Sequence, residues 1–251
     1  MDLDLTGRGV IVTGASKGLG RAAARALADE GADVLAVARS EESLRELAEE
    51  RFVGKIHPHV CDMRDREQVS ALARVAVEKL GRLDVLVNNA GIAPAANFLE
   101  MDMAAFDEVM EVNVAAIAVL SQAAGRHFVE AGTGGRIVNI VSTSGILGKA
   151  TLAAYSASKG AAIQLTKALA AEWARHDIQV NAIAPGAFST EAQAYVTGNP
   201  DVLAKRVRKI PARRMADPEE FGPLVCYLSS TKARFVSGAV YVIDGGETAK
   251  Q

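Results

Sequence analysis

The chain has 251 residues, enough for one large α/β domain spanning 1–251, and its 28 Lys and Arg nearly balance 30 Asp and Glu, so no global field draws it to nucleic acid or an anionic membrane. Hydrophobic residues make up 49% and aromatics only 5%, which favours helices packed on a sheet over a β-sandwich. Two cysteines (Cys61 and Cys226), no apolar run of bilayer length and an acidic start lead to the expectation of a cytoplasmic protein without a disulfide framework, signal peptide or membrane span.

Val10 to Thr13 is a β-branched run ending in a Gly-rich turn, followed by an Ala-rich helix from Leu19 to about Glu30. Val34 to Ala38 predicts a second strand and Glu41 to Arg51 a polar helix; Ile56 to Val60 and Arg66 to Leu80 repeat the pair. Val85 to Val87 is a fourth strand, stopped by Asn88-Asn-Ala-Gly91. One long helix or two fill Ala104 to Glu130, then a fifth strand runs from Arg136 to Val141. A helix from Ala153 to Arg175 precedes a sixth strand at Gln179 to Ile183, and Val236 to Ile243 supplies a seventh. Short apolar strands alternating with helices predict a Rossmann-like, doubly wound, seven-stranded and mostly parallel sheet, covered by helices on both faces. Residues 188–215 break the pattern at Gly198-Asn-Pro200 and read as an irregular lid. The four histidines cluster only as His57-Pro-His59, so no metal site is expected.

The turn Thr13-Gly-Ala-Ser-Lys-Gly-Leu-Gly20 joins the first strand to the first helix. Small residues there let the backbone approach a pyrophosphate, and the helix N-terminus offers free N–H groups. Gly14, Ser16, Lys17, Gly18, Leu19 and Gly20 are therefore candidate dinucleotide contacts. An acid after the second strand would bind a ribose 2′-hydroxyl, but this chain has Arg39 there and Lys17 in the turn. Two cations and no acid predict NADP(H), with NAD(H) as the second choice.

Tyr155 and Lys159 stand at i and i+4 on one helix face. A nearby ammonium stabilises a phenolate, so Lys159 is expected to lower the Tyr155 pKa and make it a general acid/base. Ser142 ends the fifth strand, at the edge where open α/β sheets bind ligands, and its hydroxyl is placed to hold a substrate oxygen.

In this order, these motifs resemble the short-chain dehydrogenase/reductase family over essentially the whole chain. The pattern is most similar to the 3-oxoacyl-carrier-protein reductase-like branch. The residues that carry it are Thr13 to Gly20, Asp62, Asn88 to Gly91, Asn113, Ser142, Tyr155, Lys159, Pro185-Gly186, Thr190 and Asp244 to Gly246. The resemblance implies that Lys159 also holds the nicotinamide ribose and that Asn113 anchors a water in a proton relay. It implies that Asp62 binds the adenine amine with Met63 beside it, and that Asn89, Ala90 and Gly91 line the adenosine. Pro185, Gly186 and Thr190, with Phe188 between them, would cradle the nicotinamide and pyrophosphate. Candidate substrate contacts are Ser144, Ile146, Leu147, Leu152 and Tyr195, mostly apolar.

The expected activity is hydride transfer between a nicotinamide and a small carbonyl or secondary alcohol. An NAD-linked alcohol or sugar dehydrogenase and a catalytically inactive nucleotide-binding regulator are the alternatives. A basic run at Lys205, Arg206, Arg208, Lys209, Arg213 and Arg214 offers an acidic carrier protein a surface. The turn from Ala131 to Gly135 holds no cation for such docking, which places a carrier protein behind a small molecule. The family implies a homotetramer or dimer, through Ala-rich faces at Ala115 to Ala124 and Ala161 to Ala171.

Overall fold

The computed structural model describes residues 2–250. Seven strands form one sheet: β1 (Gly9–Thr13), β2 (Asp33–Ala38), β3 (Ile56–Val60), β4 (Val85–Asn88), β5 (Gly135–Ile140), β6 (Ile178–Pro185) and β7 (Val240–Ile243). Their order is β3-β2-β1-β4-β5-β6-β7, and every neighbouring pair is parallel. The seventh strand starts at Val240 rather than Val236, because Gly238 at φ +76° makes a turn before it.

Strand residues alternate between the two faces. Val10, Val12, Val34, Ala36, Val85 and Val138 belong to one apolar core with Leu27, Phe221 and Val225. These last three come from α1 (Gly18–Asp29), the 3-10 turn Pro218–Phe221 and α10 (Gly222–Ser229). Ile11, Leu35, Leu86, Ile137 and Val180 face a second core with Leu72, Leu120 and Phe128. That face is covered by α3 (Arg66–Leu80) and α5 (Ala116–Ala131). Burial on both faces is why these strands read as continuous apolar runs. The polar helix α2 (Glu41–Glu49) buries Leu44 and Leu47 in the core, with Ala48 packed against it.

Local chemistry sets the helix ends. Asp65 caps α3 by accepting from the N–H groups of Glu67 and Gln68, and Gly81, in the left-handed region, closes it. The long middle helix is α4 (Met103–Met110) and α5 joined through a π turn, Glu111–Ala115. A short α6 (Ser144–Leu147) follows β5, and α7 (Ala153–Trp173) carries Tyr155 and Lys159.

The stretch 188–215 is about half helical, in three short pieces joined by turns, and so is more regular than its sequence suggests. It holds a 3-10 turn at Glu191–Gln193, then α8 (Ala194–Thr197) and α9 (Pro200–Val207). Gly198-Asn199-Pro200, read as a break, is a helix start: Asn199 caps α9 by accepting from Val202 N–H, and Pro200 occupies its first turn. The strap is pinned at its base, where Ser189 donates to the Ala216 carbonyl and Ala216 donates to that of Ala187.

Candidate active site

The chain runs from β1 outward to β3, then crosses to β4 and builds the other half. This reversal opens a crevice at the carboxyl ends of β1 and β4. A cavity of about 1170 Å³ lies there, larger than one small molecule needs.

At one end the Gly-rich turn forms a bare cradle. Asn89 Nδ2 donates to the carbonyls of Thr13 (2.9 Å) and Gly14 (3.3 Å). Thr13 Oγ1 in turn accepts from the N–H groups of Asn89 and Ala90. The crossing is so tight that a Cβ on Gly20 would lie 2.2 Å from the Gly14 carbonyl, and Gly14 itself has φ +68°. Only glycine fits both positions. α1 begins after Lys17, which gives it no side-chain cap, and has no acid in its first turn, leaving its N–H groups for an anion.

The adenosine end is rich in charge. Asp62 accepts from the Arg64 guanidinium at Nε (3.1 Å) and Nη2 (2.5 Å), which holds its carboxyl down at about 2. Lys17 and Arg39 line the wall, are exposed, and pair with no carboxylate among the described residues. Ser40 and Ser43 add two hydroxyls beside Arg39. The glycine cradle, the uncapped helix and the two free cations fit a dinucleotide carrying a 2′-phosphate.

At the other end stand Ser142, Tyr155 and Lys159. Ser142 is held by accepting from Ser144 N–H (3.1 Å), which leaves its own O–H for the Tyr155 phenol beside it or for an oxygen in the cavity. Lys159 is 3% exposed; its Nζ donates to the Ile140 carbonyl (2.8 Å) and lies 5.6 Å from the centre of the Tyr155 ring. Burial lowers the Lys159 ammonium to about 8. The Tyr155 phenol is raised above its ordinary value by burial, and the Ser142 hydroxyl pulls it partly back. This differs from the expectation that Lys159 lowers Tyr155. Loss of water around the phenol outweighs other influences, and the ammonium is directed at Ile140.

Every residue proposed for the cofactor lies on the cavity wall, and so do Ser144, Leu147 and Leu152. Two candidate substrate contacts do not. Ile146 (44% exposed) and Tyr195 (77% exposed) turn to solvent: the single turn of α6 gives the cavity Ser144 and Leu147 but not Ile146, and no residue of α8 lines the wall. Asn113 is fully buried and absent from the wall. Its Oδ1 accepts from Ile92 N–H (2.9 Å), and its Nδ2 donates to the Ile92 carbonyl (2.9 Å) and Ser158 Oγ (3.0 Å). The amide ties the loop after β4 to α7 and has no donor left for a relay water. Asn88 is likewise internal, bonded to Ser121 and Asn139.

The wall also holds residues that sequence reasoning did not place there: Lys149, Gln193, Arg206, Lys209 and Glu247. Arg206 and Lys209 belong to the basic run read as a possible docking surface. Their turn inward depends on α9 packing over the tail after β7, which no local pattern reveals.

A bare anion cradle continuous with a buried phenol and ammonium suits one reaction class. The cradle can hold a dinucleotide, and the far end can move a proton on and off an oxygen, which together make an oxidoreductase acting on carbonyls and secondary alcohols. Comparison with known proteins agrees. A family model described as enoyl-(acyl carrier protein) reductase matches residues 14–248. Gluconate 5-dehydrogenase of Gluconobacter oxydans is 36% identical over 97% of this chain and 96% of its own length. Cis-4-hydroxycyclohexanecarboxylate dehydrogenase of Sinomonas cyclohexanicum is 40% identical over 96% of this chain and 97% of its own. A gluconate 5-dehydrogenase from Burkholderia cenocepacia, solved in complex with NADP and tartrate, superposes with a TM-score of 0.90 at 33% identity, covering 98% of this chain and 97% of that one. The chain belongs to the short-chain dehydrogenase/reductase family, and it is an oxidoreductase that transfers hydride between a nicotinamide and a carbonyl or secondary alcohol.

Proposed function

We propose that this protein interconverts small hydroxy carboxylic acids and their keto forms with NADP(H). One observation carries the reading: seven Lys and Arg line the cavity against four carboxylates, in a chain whose net charge is −2. Cations gathered where the whole chain is slightly acidic favour anionic ligands at both ends. The named substrates of the Gluconobacter and Sinomonas relatives are hydroxy carboxylates, and the Burkholderia structure is a complex with NADP and tartrate, a hydroxy dicarboxylate.

Bound NADP(H) supplies or accepts the hydride. The Ser142 hydroxyl donates to the substrate oxygen and fixes its position. Tyr155, whose phenol stays protonated at neutral pH, delivers its proton to that oxygen as the carbonyl is reduced. Oxidation needs the phenolate, so it gains with rising pH. Lys159 anchors to Ile140, with its remaining N–H groups toward the crevice beside Tyr155. Asn113 acts by positioning the loop of Ile92 against α7.

A homotetramer built on α5 and α7 and a cytoplasmic location complete the reading. The two free, buried thiols suit a reducing compartment, and no described helix is long and apolar enough to cross a membrane. Purified protein should be run with NADP⁺ on aldonic acids, cyclic hydroxy acids and neutral polyols, and with NADPH on keto acids and β-ketoacyl thioesters. Highest kcat/KM on hydroxy or keto acids is expected. Preference for acyl thioesters would establish a carrier-type reductase, and preference for NADH would establish the NAD-linked alternative.

A further inference from the structure

Arg206 on α9 and Glu247 in the tail after β7 meet fork to fork on the cavity wall. Nη1 donates to Oε1 at 2.6 Å and Nη2 to Oε2 at 2.7 Å. The side chains are only 21% and 20% exposed, so water screens the pair weakly. Lys209 lines the same stretch of wall and pairs with no carboxylate among the described residues. The tail is held independently of this pair. Asp244 accepts from the N–H groups of Gly246 (2.8 Å) and Thr248 (2.7 Å), and Ala212 N–H donates to the Gly245 carbonyl. Glu247 is thus presented by a fixed turn, while Arg206 rides on the strap.

Two parallel N–H···O bonds are the geometry in which a guanidinium takes any carboxylate, a substrate's included. We propose that Arg206 is the residue that recognises the substrate carboxylate, and that Glu247 is a resident competitor displaced when the substrate enters. This rests on the hydroxy-acid reading. Exchange of one carboxylate for another leaves the guanidinium paired in both states, so the only charge left without its partner is the displaced Glu247 carboxylate, which faces the open cavity. Lys209 adds a second cation that only the incoming anion meets.

The test compares NADP⁺-dependent oxidation of gluconate with that of gluconamide, which keeps every hydroxyl and loses the charge. In R206M the ratio of kcat/KM for gluconate over gluconamide should fall roughly 10- to 100-fold, as expected when a charged hydrogen-bonded pair is lost. R206K should fall between, because it keeps the charge without the fork. E247Q should lower KM for gluconate and raise the ratio, a change that a merely structural ion pair would not produce. If R206M does not fold, R206M/E247Q removes both charges and carries the same comparison. An unchanged ratio in the Arg206 variants, with gluconate still a substrate of the wild type, overturns the assignment alone. Wild-type protein that oxidises no hydroxy acid overturns the functional reading, and the assignment falls with it.

Discussion

At the amino end of the sheet Asp84 accepts from Arg8 (2.9 Å), from Arg82 at Nε and Nη2 (2.6 and 2.7 Å) and from Gly9 N–H (2.9 Å). Close by, Arg136 donates to the carbonyls of Gly135 and Asp177, and Arg234 pairs with Asp177. At the carboxyl end Lys17, Arg39 and Lys209 line an open cavity without carboxylate partners among the described residues, and Lys159 is fully buried on one carbonyl. The same residue types do different work. Asp84, saturated by two guanidinium groups and a backbone N–H, ties β1 to the start of β4; the cations left without a carboxylate at the other end are open to a ligand of opposite charge.

Tyr155→Phe breaks the carboxyl end most sharply. Removing the proton donor should lower kcat roughly 1000-fold, within the range for general acid–base groups, while NADPH binding persists. Stopped-flow turnover together with a cofactor titration checks both halves. At the other end, Asp84→Ala strands the guanidinium groups of Arg8 and Arg82 near the start of β1. About 3 kcal/mol of stability should be lost in urea unfolding, with cofactor affinity unchanged. A variant that loses affinity instead would show that the two ends are coupled.

Arg39→Ala sharpens the comparison on a smaller scale. NADPH affinity should drop roughly 10-fold or more relative to NADH, the value of one charged hydrogen-bonded contact. The pH responses are smaller still and differ between the ends. The folded pKa of Asp84 is depressed, because donors from Arg82, Gly9 and Arg8 outweigh its burial. Its stabilisation is therefore complete above the ordinary carboxylate pKa and is lost as pH falls through the lower folded value. Tyr155 moves the opposite way: its raised phenol keeps reduction active through neutral pH, while oxidation should climb toward alkaline pH. Denaturation midpoints and paired forward and reverse rates across pH would show the two signs.

The alternation of strands and helices was readable because the five central strands are buried on both faces, while the edge strands β3 and β7 are only partly covered. The cradle was readable because the close approach at Gly14 and Gly20 admits no side chain. Asn113 shows where such reading stops. The family resemblance singled it out, but its bonds to Ile92 and Ser158 exist only once α7 packs on the π turn. Arg206 and Glu247 are 41 residues apart, a pairing that no local period encodes. Ile146 and Tyr195 lie off the wall for a complementary reason: in a single-turn helix, apolarity does not say which way a residue faces.

The central claim is that the unpaired cations of the carboxyl end await a phosphorylated dinucleotide. Equilibrium titration of the wild-type protein with NADPH and NADH at low and high salt tests it most directly. Binding of NADPH at least about 10-fold tighter than NADH, with the gap narrowing as salt screens Lys17 and Arg39, is the predicted result. Equal affinities, or tighter NADH binding, would contradict it.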